Sequence, residues 1–176
     1  MNAMDVLAKV RNVPDFPKPG IQFKDITTLI ADGAAFRTVI GMLADRYKGA
    51  RITSVVGIES RGFIFGAALA DRLGVGFVPV RKLGKLPADT LRRSYALEYG
   101  EATVEIHKDS LHSGDRVVVI DDLLATGGTL RAACELVEEL GAHIEEVWVL
   151  IELAFLPGRD KLSKWKVHAQ AVVEGE

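Results

Sequence analysis

From residue 52 the chain alternates between two apolar patterns. Runs of four to seven largely apolar residues mark strands covered on both faces, and apolar positions recurring every three or four residues mark amphipathic helices. Ile52–Ile58, Gly76–Val80, Val117–Ile120 and Val147–Ile151 belong to the first kind. Gly62–Leu73 and the Leu130, Ala133, Val137, Leu140 stripe belong to the second, with Gly141 ending that last helix. Strand and helix in this alternation predict an α/β fold with a central, mostly parallel sheet flanked by helices. Upstream, a short helix reaches to about Arg11, closed by Pro14, Pro17 and Pro19-Gly20, and Ile21–Ile26 reads as a short strand. Asp32-Gly33 makes a turn, and Phe36, Ile40, Leu43 and Tyr47 then recur at helical spacing.

Two stretches break the pattern. Between Arg81 and Leu111 basic residues (Arg81, Lys82, Lys85, Arg92, Arg93) mix with Gly84, Pro87 and Gly100, and only Thr103–His107 alternates like a strand. A polar excursion this long in a compact α/β chain reads either as a functional lid or as a solvated loop. After Ile151, Leu153–Gly158 is a candidate to close over a ligand, and Trp165–Val173 carries a weak strand signal. The whole, residues 1–176, reads as a single domain.

Composition narrows the class. With 48% hydrophobic and 26% charged residues the chain is an ordinary globular protein, and a net charge of -2 argues against broad coverage of nucleic-acid phosphates. The lone Cys134, on the apolar helix face, reads as core and favours a reducing, cytoplasmic setting. No secretory signal is visible in Met1–Val6, and the apolar run Gly62–Ala70 falls far below the roughly 18 residues of a membrane span. His107, His112, His143 and His168 have no metal-ligand spacing.

The chemistry concentrates where Val117–Ile120 runs into Asp121-Asp122-Leu123-Leu124-Ala125-Thr126-Gly127-Gly128-Thr129. Ligands of open α/β sheets sit beyond the carboxyl ends of strands. Ala125, Thr126, Gly127, Gly128 and Thr129 are small, so an anion can approach the backbone, and the next helix offers unpartnered N–H donors at its positive end. Asp121 and Asp122 would repel a phosphate but suit the vicinal hydroxyls of a sugar. A glycine pair alone is as well explained by a tight turn; two acids ending a buried strand, followed by Thr-Gly-Gly-Thr, are not. No Gly-x-x-x-x-Gly-Lys-Ser/Thr is present, and Gly74-Val75-Gly76 lacks the third glycine of a dinucleotide fingerprint.

Val117–Thr129 closely resembles the phosphoribosyl-pyrophosphate loop of the type I phosphoribosyltransferase family. The blocks Asp15-Phe16-Pro17, Gly20–Ile26, Gly57–Phe63, Arg81–Pro87 and Tyr95–Gly100, in family order over roughly residues 15–130, resemble its adenine-specific branch. The resemblance implies the type I fold, with a small N-terminal hood and a flexible lid at roughly 81–111. It implies transfer of ribose 5-phosphate from phosphoribosyl pyrophosphate to adenine, giving AMP and pyrophosphate. Mg²⁺ would be the cofactor, held mainly by substrate oxygens and water rather than by protein ligands. By resemblance Ala125–Thr129 take the 5-phosphate and Asp121 and Asp122 the ribose. Glu59, Ser60 and Arg61 form the pyrophosphate loop, whose peptide is often cis in the family. Arg81, Lys82 and Lys85 reach pyrophosphate, in several type I enzymes across a homodimer interface. Phe23 offers a ring to the purine, and the backbone beside Lys24 reads its edge. Glu98 and Tyr99 lie in the lid, with Glu98 the candidate for proton handling and Arg61 its partner in catalysis. No nucleic-acid or membrane partner is implied. A sister enzyme for another base, and a regulator that keeps the site without catalysis, remain the alternatives.

Overall fold

The computed structural model describes residues 2–175. Helix α1 (Ala3–Ala8) opens on a reciprocal cap: Asn2 Oδ1 accepts from the Asp5 N–H, and the Asp5 carboxylate accepts from the Asn2 N–H. It ends three residues short of the expected limit, because Arg11 belongs to a two-stranded antiparallel ribbon of β1 (Arg11–Val13) and β2 (Phe23–Asp25). Arg11 Nε ties that ribbon to Asp25 at 2.9 Å. With its Pro-rich connection, the ribbon is the hood. A short helix α2 (Thr27–Ala31), unmarked in the sequence pattern, precedes α3 (Gly33–Tyr47). Asp32, read as a turn residue, caps α3 by accepting from the N–H groups of Ala34 and Ala35.

The α/β unit follows as β3 (Ser54–Ile58), α4 (Gly62–Leu73), β4 (Gly76–Lys82), β5 (Thr90–Ala96), β6 (Glu101–His107), β7 (Arg116–Leu124), α5 (Gly128–Glu139), β8 (His143–Leu153), α6 (Gly158–Lys161) and β9 (Val167–Val173). Strands lie in the order β5-β6-β4-β3-β7-β8-β9. The five from β4 to β9 run parallel, and the β5–β6 hairpin adds antiparallel to the β4 edge. The 81–111 excursion is therefore largely an ordered hairpin. Its first strand escaped the sequence reading because Arg92, Ser94 and Ala96, facing solvent, give Thr90–Ala96 little apolar signal.

Successive side chains of a strand point to opposite faces, and both faces are packed. Val117 and Val119 of β7 meet Leu130, Cys134 and Val137 of α5 in one core. Val118 and Ile120 meet Phe65 and Leu69 of α4 and Leu43 of α3 in the other, around the buried Trp148. With α4 and α5 on opposite faces, strand order reverses between the neighbours β3 and β7. A crevice opens beyond their carboxyl ends, as it does at such reversal points generally. Among the described residues no helix is long and apolar enough to cross a membrane.

Candidate active site

Both loops singled out in the sequence leave the sheet at this reversal point. Ala125–Gly127 links β7 to α5, and Glu59–Arg61 links β3 to α4. Gly127 occupies the N-cap of α5 with φ +78° and, having no side chain, caps nothing. The opening N–H groups of α5 are thereby left for an anion, at the positive end of the helix dipole. The loop is held from behind. A Cβ on Gly127 would stand 2.7 Å from the Gly158 carbonyl oxygen, and one on Gly158 would collide with the Ala125 carbonyl. Leu153–Gly158 thus buttresses the Ala125–Gly127 loop through Gly158, a role the sequence did not disclose. Its Phe155 also lines a cavity of about 200 Å³ with Asn12, Gln22, Lys24 and Val173 beside the hood.

β7 continues through the acid pair to Leu124, so Asp121 and Asp122 point to opposite faces. Asp121 lies against the start of α4: a Cβ on Gly62 would come 3.0 Å from its Oδ1, which explains glycine there. Burial and the neighbouring Asp122 charge hold its carboxyl well above the usual carboxylate range. Buried Asp122 instead forms an ion pair with Arg61, whose Nε lies 2.6 Å from Oδ2. The Arg61 guanidinium also lies 5.4 Å from the centre of the Phe23 ring, whose edge-on neighbour is Phe16 at 5.1 Å. Arg61 therefore joins three predicted site groups: its own loop, the acid pair and the hood aromatic.

The Glu59–Ser60 peptide is cis, as is Phe16–Pro17. The Glu59 carboxylate does not face the crevice as a free group. It accepts from Arg81 Nη2 at 3.0 Å, Arg81 Nε at 3.2 Å and the Lys82 N–H at 3.0 Å. Chiefly through the Arg81 bonds, its pKa is held below the ordinary value. This pair ties the end of β4 to the loop after β3. The Lys82–Lys85 turn is shaped in turn by buried Glu105, whose Oε1 accepts from the N–H groups of Gly84, Lys85 and Leu86. No motif marked Glu105, because an isolated acid in an alternating strand carries no local signal.

The remaining predicted residues sit at the margins. Lys24 donates from Nζ to Asn12 Oδ1 at 2.7 Å within the hood ribbon. Glu98 and Tyr99 occupy the exposed hairpin tip, where Lys18 of the hood lies 3.9 Å from Glu98 and 5.8 Å from the Tyr99 ring. Arg92 and Arg93, read as lid residues, are engaged elsewhere: Arg92 with Glu105 at 3.4 Å, and Arg93 with Glu139 at 2.6 Å. Thr126 is exposed at the crest of the cradle, while the Thr129 hydroxyl donates to the Tyr95 hydroxyl at 2.8 Å. Among the described residues no group of three or more His, Cys, Asp or Glu stands together as metal ligands.

The small-residue turn after Asp121-Asp122 and the Glu59–Arg61 turn leave the sheet together at its point of reversal, and this is the arrangement of a phosphoribosyltransferase. In agreement, the family model described as phosphoribosyl transferase domain matches residues 26–176. The adenine phosphoribosyltransferase of Roseiflexus sp. (strain RS-1) is 62% identical over 156 residues, covering 89% of this chain and 91% of that protein. A crystal structure of adenine phosphoribosyltransferase from Thermoanaerobacter pseudethanolicus superposes with a TM-score of 0.93 at 50% identity, covering 98% of this chain and 100% of the other. The Saccharomyces cerevisiae adenine phosphoribosyltransferase, solved with adenine and an imino-altritol bisphosphate, gives a TM-score of 0.91 at 41% identity, covering 96% and 97%. The chain belongs to the adenine phosphoribosyltransferase family, with its type I fold.

Proposed function

We propose that this chain transfers ribose 5-phosphate from phosphoribosyl pyrophosphate to N9 of adenine, forming AMP and pyrophosphate in purine salvage. The observation that carries the reading is the 2.6 Å Arg61–Asp122 pair, which joins the leaving-group loop to the sugar-binding acids. The yeast relative was solved with adenine and a bisphosphate, which supports a purine base and a phosphorylated sugar as the substrates.

The 5-phosphate sits on the N–H groups of Ala125, Thr126, Gly127, Gly128 and Thr129, and the ribose hydroxyls lie by Asp121 and Asp122. Without substrate, Arg61 and Asp122 satisfy each other. With it, pyrophosphate takes the guanidinium while a ribose hydroxyl donates to the freed carboxylate. Adenine N9 then bonds to the ribose anomeric carbon as the bond from that carbon to pyrophosphate breaks, and the N9 proton leaves. Charge builds on the departing pyrophosphate, so preorganised donors carry more of the rate than any one proton transfer. Arg61, Ser60 and the Glu59 backbone supply those donors, with Lys82 and Lys85 from the turn and Arg81 held on Glu59. Phe23 and the Lys24 backbone position the purine. Glu98 handles the base proton once the hairpin tip, with Tyr99, carries it from solvent to the crevice.

Mg²⁺ is the proposed cofactor, held by substrate oxygens and water, and it adds positive charge at the leaving group. The side chains fit a metal held from outside the protein: of the acid pair, Asp122 is paired with Arg61 and Asp121 is packed against the start of α4, so the two do not form a chelating pair. The chain acts as one domain over residues 1–176 with a lid at roughly 81–111, and as a cytoplasmic homodimer without nucleic-acid or membrane partners. The buried single thiol, Cys134, is in keeping with a reducing compartment.

The test is to incubate the protein with phosphoribosyl pyrophosphate, Mg²⁺ and, in turn, adenine, hypoxanthine, guanine, xanthine or orotate. AMP and pyrophosphate are expected from adenine alone, with EDTA abolishing turnover and added Mg²⁺ restoring it. Turnover of another base in place of adenine would sink the reading.

A further inference from the structure

Tyr95 belongs to the hairpin, yet it reaches the phosphate cradle on the far side of the crevice. Strand β5 curls back over α5, where Arg93 clamps it to Glu139 at 2.6 Å and to Glu135 at 3.6 Å. This sets the edge of the Tyr95 ring against the loop: a Cβ on Gly128 would stand 2.8 Å from Tyr95 Cδ2. The phenol oxygen then meets Thr129 Oγ1 at 2.8 Å, with Thr129 donating.

Each hydroxyl carries one proton and two lone pairs. In the unliganded site the Thr129 proton goes to Tyr95. A phosphate on the cradle is a far stronger acceptor than a phenol, so it draws the Thr129 proton to itself. The phenol oxygen loses its donor and the threonine oxygen gains a free lone pair at the same 2.8 Å separation. Tyr95 now donates to Thr129 while Thr129 donates to phosphate, and each bond in such a chain polarises the next. The packing against Gly128 holds the phenol in place for this reversal, so no side chain has to be reordered.

We propose that Tyr95 is a positioning residue for the ribose 5-phosphate, acting through Thr129 and making the cradle favour phosphorylated over unphosphorylated ribosides. This rests on the reading that Ala125–Thr129 hold the 5-phosphate. Tyr95 has no part in that assignment, which concerns only the loop itself.

Tyr95→Phe keeps the ring on Gly128 and removes only the hydroxyl, so calorimetric titration with AMP and with adenosine separates the two roles. AMP affinity should fall roughly tenfold, the effect of one lost hydrogen bond in a charged network, with adenosine affinity unchanged. The steady-state loss should appear in KM for phosphoribosyl pyrophosphate rather than in kcat. Thr129→Val should weaken AMP at least as much, and Tyr95→Phe added to it should weaken AMP no further, as expected for groups acting in series. Wild-type protein that makes AMP from adenine, beside a Tyr95→Phe variant with AMP affinity within twofold of it, overturns the Tyr95 role alone. An equal fall for AMP and adenosine also overturns it, since it would report the ring and not the phosphate. A wild-type protein that binds no AMP overturns the cradle reading and this inference with it.

Discussion

Arg61 and Asp122 pair with each other, so a change at either frees its partner, and in the proposed reaction acts on substrate through it. Asp122→Asn keeps the shape but removes the charge that holds the guanidinium beside the ribose position. Its kcat/KM should fall about tenfold to a hundredfold, the range for losing a charge-assisted hydrogen bond worth about 1.5–3 kcal/mol. Glu98→Ala should cost less in the same assay, because Glu98 stands on the exposed tip and contributes no charge to the crevice floor. Equal activity in that variant would remove Glu98 from the mechanism. Gly158 makes a third test, away from any substrate. Its added methyl in Gly158→Ala meets the Ala125 carbonyl. Overpacking of this kind costs about 1–3 kcal/mol, so thermal unfolding should move down by several degrees. KM for phosphoribosyl pyrophosphate should rise as the cradle is displaced, while KM for adenine holds.

Between elements, the firmest polar tie away from the site joins α3 to β8. Glu146 is buried and accepts from Arg46 at 2.6 and 2.8 Å and from the Tyr47 hydroxyl at 2.7 Å, with Lys166 at 3.3 Å. Burial pushes its carboxyl up, but these partners outweigh it and leave the pKa at about 2. A carboxyl with a folded pKa below its unfolded value of about 4.3 stabilises above the unfolded value and loses that contribution as pH falls. At pH 7 Glu146→Gln should be less stable than wild type by about 2 kcal/mol, the scale of a charged, hydrogen-bonded group. The gap should narrow between about pH 4.5 and pH 2, followed by urea unfolding across that range. A gap constant with pH would assign the loss to packing instead. The hairpin shows the reverse dependence of element on context. Thr90–Ala96 lacks an apolar repeat, and it becomes a strand because β6, itself paired to the edge of β4, supplies its ladder and α5 supplies Glu135 and Glu139 for Arg93.

For the molecule as a whole, the crevice is closed from three sides by parts far apart in the chain: the hood, the hairpin and the segment around Gly158. Lys18 of the hood links to the tip through Glu98 at 3.9 Å and the Tyr99 ring at 5.8 Å; the ion pair is exposed, and exposed pairs contribute at most about 1 kcal/mol. Lys18→Ala should therefore lower the unfolding temperature by no more than about 4 °C, and a larger fall would mean the hood depends on the tip. The proposed homodimer has its own check. Light scattering behind gel filtration should give twice the 19.1 kDa of the chain, and a monomer would exclude pyrophosphate contacts made across an interface.

Periodicity alone located the four buried strands and the long helices, since covering both faces of a parallel sheet demands continuous apolar runs and 3.6-residue stripes. Local chemistry alone singled out the loop after Asp121-Asp122, because small residues and acids at a strand end act through their own backbone, while the Glu59–Arg61 loop was singled out by resemblance to the family. What the tertiary structure decided lies wherever function depends on a meeting of distant segments. That Arg61 rests on Asp122, that Glu59 is spent on Arg81, that Gly158 backs Ala125 and that Tyr95 touches Thr129 are facts of packing, separated by 22 to 61 residues in sequence. No residue in those pairs marks its partner, because hydrogen bonds and van der Waals contacts act over a few ångströms in space, whatever the distance along the chain.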